Sequence, residues 1–222
     1  MTTLEIAVTE LEDASASALG EADSVELSID LHRDGLTPPM PLVHEVRHQV
    51  AIDVHVIIRP HDRDFIYTPD EIEGILSTAH TLNETTITGI VFGAHLPDSR
   101  FDVDLVKRVR DAAPNLQFTL HRALDSCRNP EEALDALQGT IDRALTSGPA
   151  KTAWEGRAGL KKWVDAFGTK IDFIAAGSVT LAQLPALVTE TGVSGIHCGS
   201  AARINGEVSW EQVKRLKTAM SS

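Results

Sequence analysis

Eight short runs of β-forming residues punctuate this chain, and stretches with helical spacing separate them. The runs fall at residues 4–8, 24–29, 53–59, 89–94, 117–122, 143–146, 172–176 and 195–198. Strands that alternate with helices are joined by crossovers, which place them parallel in one sheet. Eight βα units predict that this sheet closes on itself, giving an α/β protein of the TIM-like (β/α)8 barrel type. The 222 residues suit a single domain over residues 1–222, since such barrels commonly run to about 250 residues. An open doubly wound sheet is the alternative architecture.

The helix signals fall between the runs. Thr9-x-x-Glu12 reads as a capping box, with Gly20 able to end the helix it opens. Thr68-Pro69-Asp70-Glu71 sets a cap, a proline at the first helical position and a glutamate before the stripe Ile72, Ile75, Leu76, Ala79. Asn129-Pro130-Glu131-Glu132 repeats that arrangement before Leu134 and Leu137. Leu160, Trp163, Val164 and Phe167 form a further stripe stopped by Gly168, and Ser209-x-x-Gln212 opens the last helix.

Charge and cysteine content narrow the function classes. The formal net charge is −12, with no basic block, so phosphate backbones and anionic lipid are repelled and neither nucleic acid nor membrane is an expected partner. Cys127 and Cys198 are the only cysteines and lie far apart, which suits a reducing compartment. The amino-terminal residues carry no signal-peptide pattern, and no apolar run reaches the roughly 18 residues of a membrane span. Cytoplasmic location is the expectation.

Polar residues interrupt the strands with period two. Val25, Leu27 and Ile29 alternate with Glu26 and Ser28; Val54, Val56 and Ile58 alternate with His55, Ile57 and Arg59; Phe118 and Leu120 alternate with Thr119 and His121. One face of a barrel strand meets helices and the other meets the axis. With the branched apolar set on the helix side, Glu5, Glu26, His55, Arg59 and His121 point inward. Unpaired charge there costs several kcal/mol, so these groups must find one another, water or a ligand. A self-satisfied ion network is one reading. A ligand site is the other, favoured for Arg59 and His121 because they stand at the carboxyl ends of strands, where barrel sites form.

The loops after the strands extend that reading. Residues 59–67 form a long polar segment with Phe65 and Tyr67, suited to a lid or to a solvated loop. Gly35-Leu36-Thr37-Pro38 reads as a fixed turn. Thr146 and Ser147, beside Gly148, offer hydroxyls to an anion, and Gly177, Ser178, Gly199 and Ser200 let backbone N–H groups approach one. His197 and Cys198 are neighbours and must face opposite sides of their strand. No Cys-x-x-Cys or Met-x-Met spacing occurs, so a soft-metal site is not written in the local sequence.

Several segments together resemble the CutC family: Val25-Glu26-Leu27, Gly35-Leu36-Thr37-Pro38, His55-Val56-Ile57-Ile58-Arg59-Pro60, Asp64-Phe65-x-Tyr67, Val91-Phe92-Gly93, His121-Arg122-Ala123-x-Asp125, Leu145-Thr146-Ser147-Gly148 and Ala175-Ala176-Gly177. They stand in family order and cover nearly the whole chain. The resemblance implies a TIM-like barrel, a cytoplasmic protein of copper homeostasis that binds copper, and a homo-oligomer. It also implies that Glu5, Glu26, His55, Arg59, His121, Arg122, Asp125, Ser147 and Gly177 occupy motif positions. Two departures stand out. Ser28 occupies a position where the family usually carries cysteine, and a hydroxyl does not suit Cu(I) as a thiolate does. Pro149 replaces the glycine that usually follows Thr-Ser-Gly.

Two functions follow. A copper-handling protein would use the imidazoles of His55, His121 or His197. An enzyme of isomerase, aldolase or lyase type would act on a small anionic or phosphorylated metabolite. It would have Glu26 or Glu5 as general base, His121 as acid–base partner, Arg59 and Arg122 as an anion clamp, and His55 and Asp125 as further catalytic candidates. The expected partner is accordingly a small anionic ligand or a metal ion.

Overall fold

The computed structural model describes residues 2–220. In chain order the main elements are β1 (Thr3–Val8), α1 (Leu11–Leu19), β2 (Ser24–Leu27), α2 (Met40–Gln49), β3 (Asp53–Ile57), α3 (Pro69–Asn83), β4 (Gly89–Phe92) and α4 (Val103–Ala112). They continue with β5 (Gln117–Leu120), α5 (Ala123–Ser126), α6 (Pro130–Ala136), β6 (Arg143–Thr146), α7 (Arg157–Phe167), β7 (Asp172–Ala175), α8 (Leu184–Thr191), β8 (Gly195–Cys198) and α9 (Trp210–Ala219). The eight strands are parallel and close as β1-β2-β3-β4-β5-β6-β7-β8, with β8 paired back to β1. This is the TIM-like (β/α)8 barrel, and it excludes the open sheet.

The alternation within each strand builds two separate interiors. Leu4, Ile6, Val25, Leu27, Val54, Val56, Ile90, Phe92, Phe118, Leu120, Phe173 and Ile196 join one buried cluster with α-helical residues such as Val43, Ile75, Val106, Leu160, Trp163 and Val213. Burying a large apolar side chain contributes roughly 1.5–3 kcal/mol, so this layer between barrel and helices holds the fold. The other face of each strand turns to the axis. Register sets Glu5 beside His197, Glu26 beside His55, and Thr119 beside Arg143.

Helix boundaries follow local chemistry. Thr68 and Glu71 form the expected capping box, Ser209 caps Gln212 N–H, and Gly168 ends α7. The first helix departs from expectation. Glu10 precedes it without a side-chain cap, and Thr9 donates from N and Oγ1 to Asp13 Oδ2 instead of pairing with Glu12. Asp13 also receives Arg203 Nη2 and Val208 N–H, so a tertiary carboxylate displaces the local box. Asn129 likewise does not cap its own helix: its Oδ1 accepts Phe101 N–H at 3.0 Å and its Nδ2 donates to Glu132. Strands β2, β3 and β5 also end earlier than predicted, leaving Arg59 and His121 just past the sheet.

Candidate functional site

The axial polar residues sort into two layers. The lower one centres on Glu5 of β1. Arg143 Nη2 of β6 donates to Glu5 Oε2 at 2.6 Å, Ser24 Oγ donates to the same oxygen at 3.1 Å, and His197 Nδ1 faces Oε1 at 3.1 Å. His55 Nδ1 lies 3.1 Å from Glu5 Oε2. With Nδ1–H donating there, His55 Nε2 is left to accept Arg143 Nη1 at 2.6 Å. Burial by itself would raise the Glu5 carboxyl, but Arg143, His197 and His55 together hold it well below the usual carboxylate range. His197 is pulled the other way: burial opposes its charge, yet the hydrogen bond to Glu5 and the nearby Glu26 raise it.

His55 therefore belongs to the barrel floor. With Arg143 and Gln117 it borders a recess at the amino-terminal end of the strands, so its ring is spent on structure and does not reach the mouth. Arg143 and Gln117 were absent from the sequence-based set. Both sit at strand starts on the axial face, and the same period-two reading, applied to β5 and β6, would have found them.

The upper layer opens at the carboxyl ends as a cavity of about 670 Å³. Glu26, Arg59, His121, Arg122, Asp125 and His197 line it, as do Gly177, Ser178, Gly199 and Ser200. A volume of roughly 300–1,000 Å³ is typical of small-molecule sites. Phe65, Leu145 and Val179 give it an apolar part. Glu26 is 8% exposed, and its Oε2 has no partner. Burial pushes its pKa up, the carboxylate of Glu5 adds to this, and His197 and Arg143 counter it.

Arg59 is fixed by the loop after β2: its Nη1 donates to the carbonyls of Arg33 at 2.9 Å and Gly35 at 3.1 Å. The guanidinium stacks 5.1 Å from the Phe65 ring centre, and Phe65 in turn lies 4.8 Å from His121. The segment after β3 is thus pinned as well as polar. Asp62 pairs with Arg33 in a fork, and the Phe65 carbonyl accepts His95 N–H at 2.7 Å. His121 is buried at 6% exposure. Desolvation, with help from Arg59, lowers its pKa to about 3, so its ring is neutral at physiological pH.

The predicted anion loop needs correction. Leu145 lines the cavity, so alternation sends Thr146 to the helix side. Thr146 Oγ1 donates to Asp125, and Ser147 offers Asp125 both its N–H at 3.0 Å and its hydroxyl at 2.8 Å. Arg122 Nε adds a fourth donor at 2.9 Å. The anion held by Thr146 and Ser147 is the protein's own Asp125 carboxylate, and neither residue is among those that line the cavity. Gly177, at φ +100°, leaves room for Arg122: a Cβ there would sit 3.2 Å from the guanidinium carbon.

Of the three histidines considered as metal ligands, only His197 joins a cluster of donors. Single ligand atoms of Glu5, Glu26 and His197 lie within 4.8 Å of one another. His121 stands apart with Phe65 and Phe92. Cys198 faces the helices, where burial pushes its thiol up to about 12, and Cys127 is half-buried beside the Leu124 carbonyl. Ser28 Oγ is fully buried without a partner.

Fold and cavity define a (β/α)8 barrel with a polar, partly charged mouth. The CutC family model matches residues 2–202, and the chain belongs to the CutC family. A CutC family protein of Mesorhizobium japonicum is 33% identical over 195 residues, 87% of this chain and 76% of that protein. A human protein named copper homeostasis protein cutC homolog is 31% identical over 198 residues, 89% of this chain and 72% of its own length. The crystal structure of the putative copper homeostasis protein CutC from Streptococcus agalactiae shares the fold with a TM-score of 0.84 at 24% identity, covering 90% of this chain and 99% of that one. No helix among the described residues is long and apolar enough to cross a membrane.

Proposed function

We propose that this chain acts in copper homeostasis in the cytoplasm, and that the base of its mouth cavity takes a divalent copper ion as cargo at Glu5, Glu26 and His197. One observation carries the reading: these three donors converge within 4.8 Å, and Glu26 Oε2 is buried there without a partner. Two carboxylates and an imidazole are hard to borderline donors, which suit Cu(II) or Zn(II) better than Cu(I). A Cu(I) site does not fit this chain: Cys198 faces the helix layer, and Ser28 stands where a family cysteine is expected. The name of the human relative supports the copper role. The enzyme reading has no such support from the relatives' names.

Titration with Cu(II) and with Cu(I), each against a competing chelator, tests this. Cu(II) should bind, with Glu26→Gln weakening it by about tenfold or more, as even outer-shell losses do at metal sites. Binding of Cu(I) in preference, or Cu(II) binding indifferent to Glu26→Gln, would discard the site.

A further inference from the structure

One pair of histidines stands outside the barrel altogether. His44 and His48 form the chain's single His-x-x-x-His spacing, and both fall inside the regular helix α2, Met40–Gln49. Four residues of α-helix advance the chain by about 400° and about 6 Å. The two imidazoles therefore leave one face a single turn apart, with Cβ atoms about 5–6 Å from each other. Val43, Val46 and Val50 are buried in the core, which fixes the rotation of the helix. That rotation leaves His44 and His48 exposed.

Both residues line the same groove. It holds about 560 Å³ between α2 and the segment leading into β4, with Thr85, Thr86 and Ile87 as its other wall. Neither imidazole has a hydrogen bond or ion pair among the described residues. Two unoccupied nitrogen donors at this spacing, open to solvent, are the arrangement by which a helix holds a metal ion through two histidines. Water fills the remaining coordination positions.

Charge decides between a cation and an anion. Arg47 borders the groove as well, and by itself it would favour a phosphate or a carboxylate. Its guanidinium is committed elsewhere: Nη1 donates to the Ile52 carbonyl at 2.8 Å and Nη2 to the Val50 carbonyl at 2.7 Å. His48 lies in the last turn of α2, where the helix dipole attracts cations and repels anions. The chain as a whole carries a net charge of −12, which raises the local concentration of cations. Imidazole nitrogens suit copper, nickel and zinc, whereas magnesium and calcium prefer oxygen donors.

We infer that the His44–His48 face of α2 chelates one divalent late transition-metal ion, of the Cu(II), Ni(II) or Zn(II) class, at the protein surface. The site shares no residue with Glu5, Glu26 and His197, and it does not depend on that reading.

The test uses the chain stripped of metal with EDTA and titrated with Cu(II), the tightest binder of the series, at about pH 7.5, above the ordinary imidazole range. His44→Gln and His48→Gln should each weaken one equivalent of Cu(II) by about tenfold or more, because a single imidazole loses the chelate advantage. The double variant should be no weaker than either single one. His48→Gln combined with Gln49→His keeps the histidine count but turns the second ring about 140° away from the first, and it should bind like His48→Gln. An equivalent held at the interior site persists in all of these variants, so the two sites stand or fall separately. In the unaltered chain, saturating Cu(II) should protect His44 and His48 together from diethyl pyrocarbonate, read by peptide mass spectrometry, which keeps the test valid if a variant misfolds. Unchanged Cu(II) affinity in well-folded variants, losses that simply add between the two single variants, full binding by the shifted pair, protection of only one histidine, or protection by inorganic phosphate in place of Cu(II) would each overturn the assignment.

Discussion

Arg143 on β6 reaches through the barrel to Glu5 on β1, Nη2 to Oε2 at 2.6 Å, joining strands that are 138 residues apart in sequence. The Glu5 side chain is 2% exposed and that of Arg143 10%. Such a pair is worth little more than an apolar one of equal volume, but it is expensive to break, because the surviving charge stays buried. Arg143→Met should cost about 3–5 kcal/mol in denaturant unfolding. Adding Glu5→Gln should restore part of that loss. Equal costs that simply add would show the pair to be uncoupled.

Asp125 makes a second test. Four donors converge on its carboxylate, from Thr146, Ser147 twice and Arg122. Asp125→Asn turns a donor toward donors and should destabilise by about 2–3 kcal/mol. It should also loosen Arg122, which is read as faster proteolysis near Lys151, whose carbonyl Arg122 holds. A variant as stable as the parent would restore Thr146 and Ser147 as candidates for an external anion.

Ser28 should be improvable. Its hydroxyl is fully buried and unpaired, so Ser28→Ala removes an unmet polar group and should raise stability by about 1 kcal/mol. A drop in denaturation midpoint would mean that the hydroxyl has a partner after all.

His121 gives a pH signature. Its folded pKa of about 3 lies below the ordinary 6.5. Between those values the unfolded chain binds a proton that the folded one refuses, so stability falls as pH drops from 6.5 towards 3. Above 6.5 the contribution is complete. Glu26, raised by burial, runs in the opposite sense and gains stability as pH falls through its folded pKa. His121→Phe should therefore flatten the acid side of the stability curve, measured by urea unfolding at stepped pH. An unchanged slope would mean that His121 is charged in the native state.

Thr68 and Glu71 close a reciprocal cap on α3. Thr68→Ala should lower stability by about 1 kcal/mol, checked by thermal unfolding.

The amino-acid sequence alone determined the barrel and the inward direction of its polar residues. Period-two alternation is a local property: once Val25 and Leu27 face the helices, Glu26 must face the axis, whatever the rest of the chain does. The same logic placed Arg59 and His121 near the mouth and set His197 and Cys198 on opposite faces. What alternation does not carry is height along the axis or the identity of a partner. Glu5 and His55 share the inward direction with Glu26, and register even sets His55 beside Glu26, yet Arg143 closes on His55 and Glu5 while Glu26 Oε2 is buried without a partner. Local chemistry misled wherever a distant group outbid it. Asp13 receives Thr9 in place of the Glu12 box, and Asp125 collects the hydroxyls of Thr146 and Ser147 that read as an anion loop. A buried carboxylate draws in donors from any strand that folding brings near it, and only the closed barrel decides which strands those are.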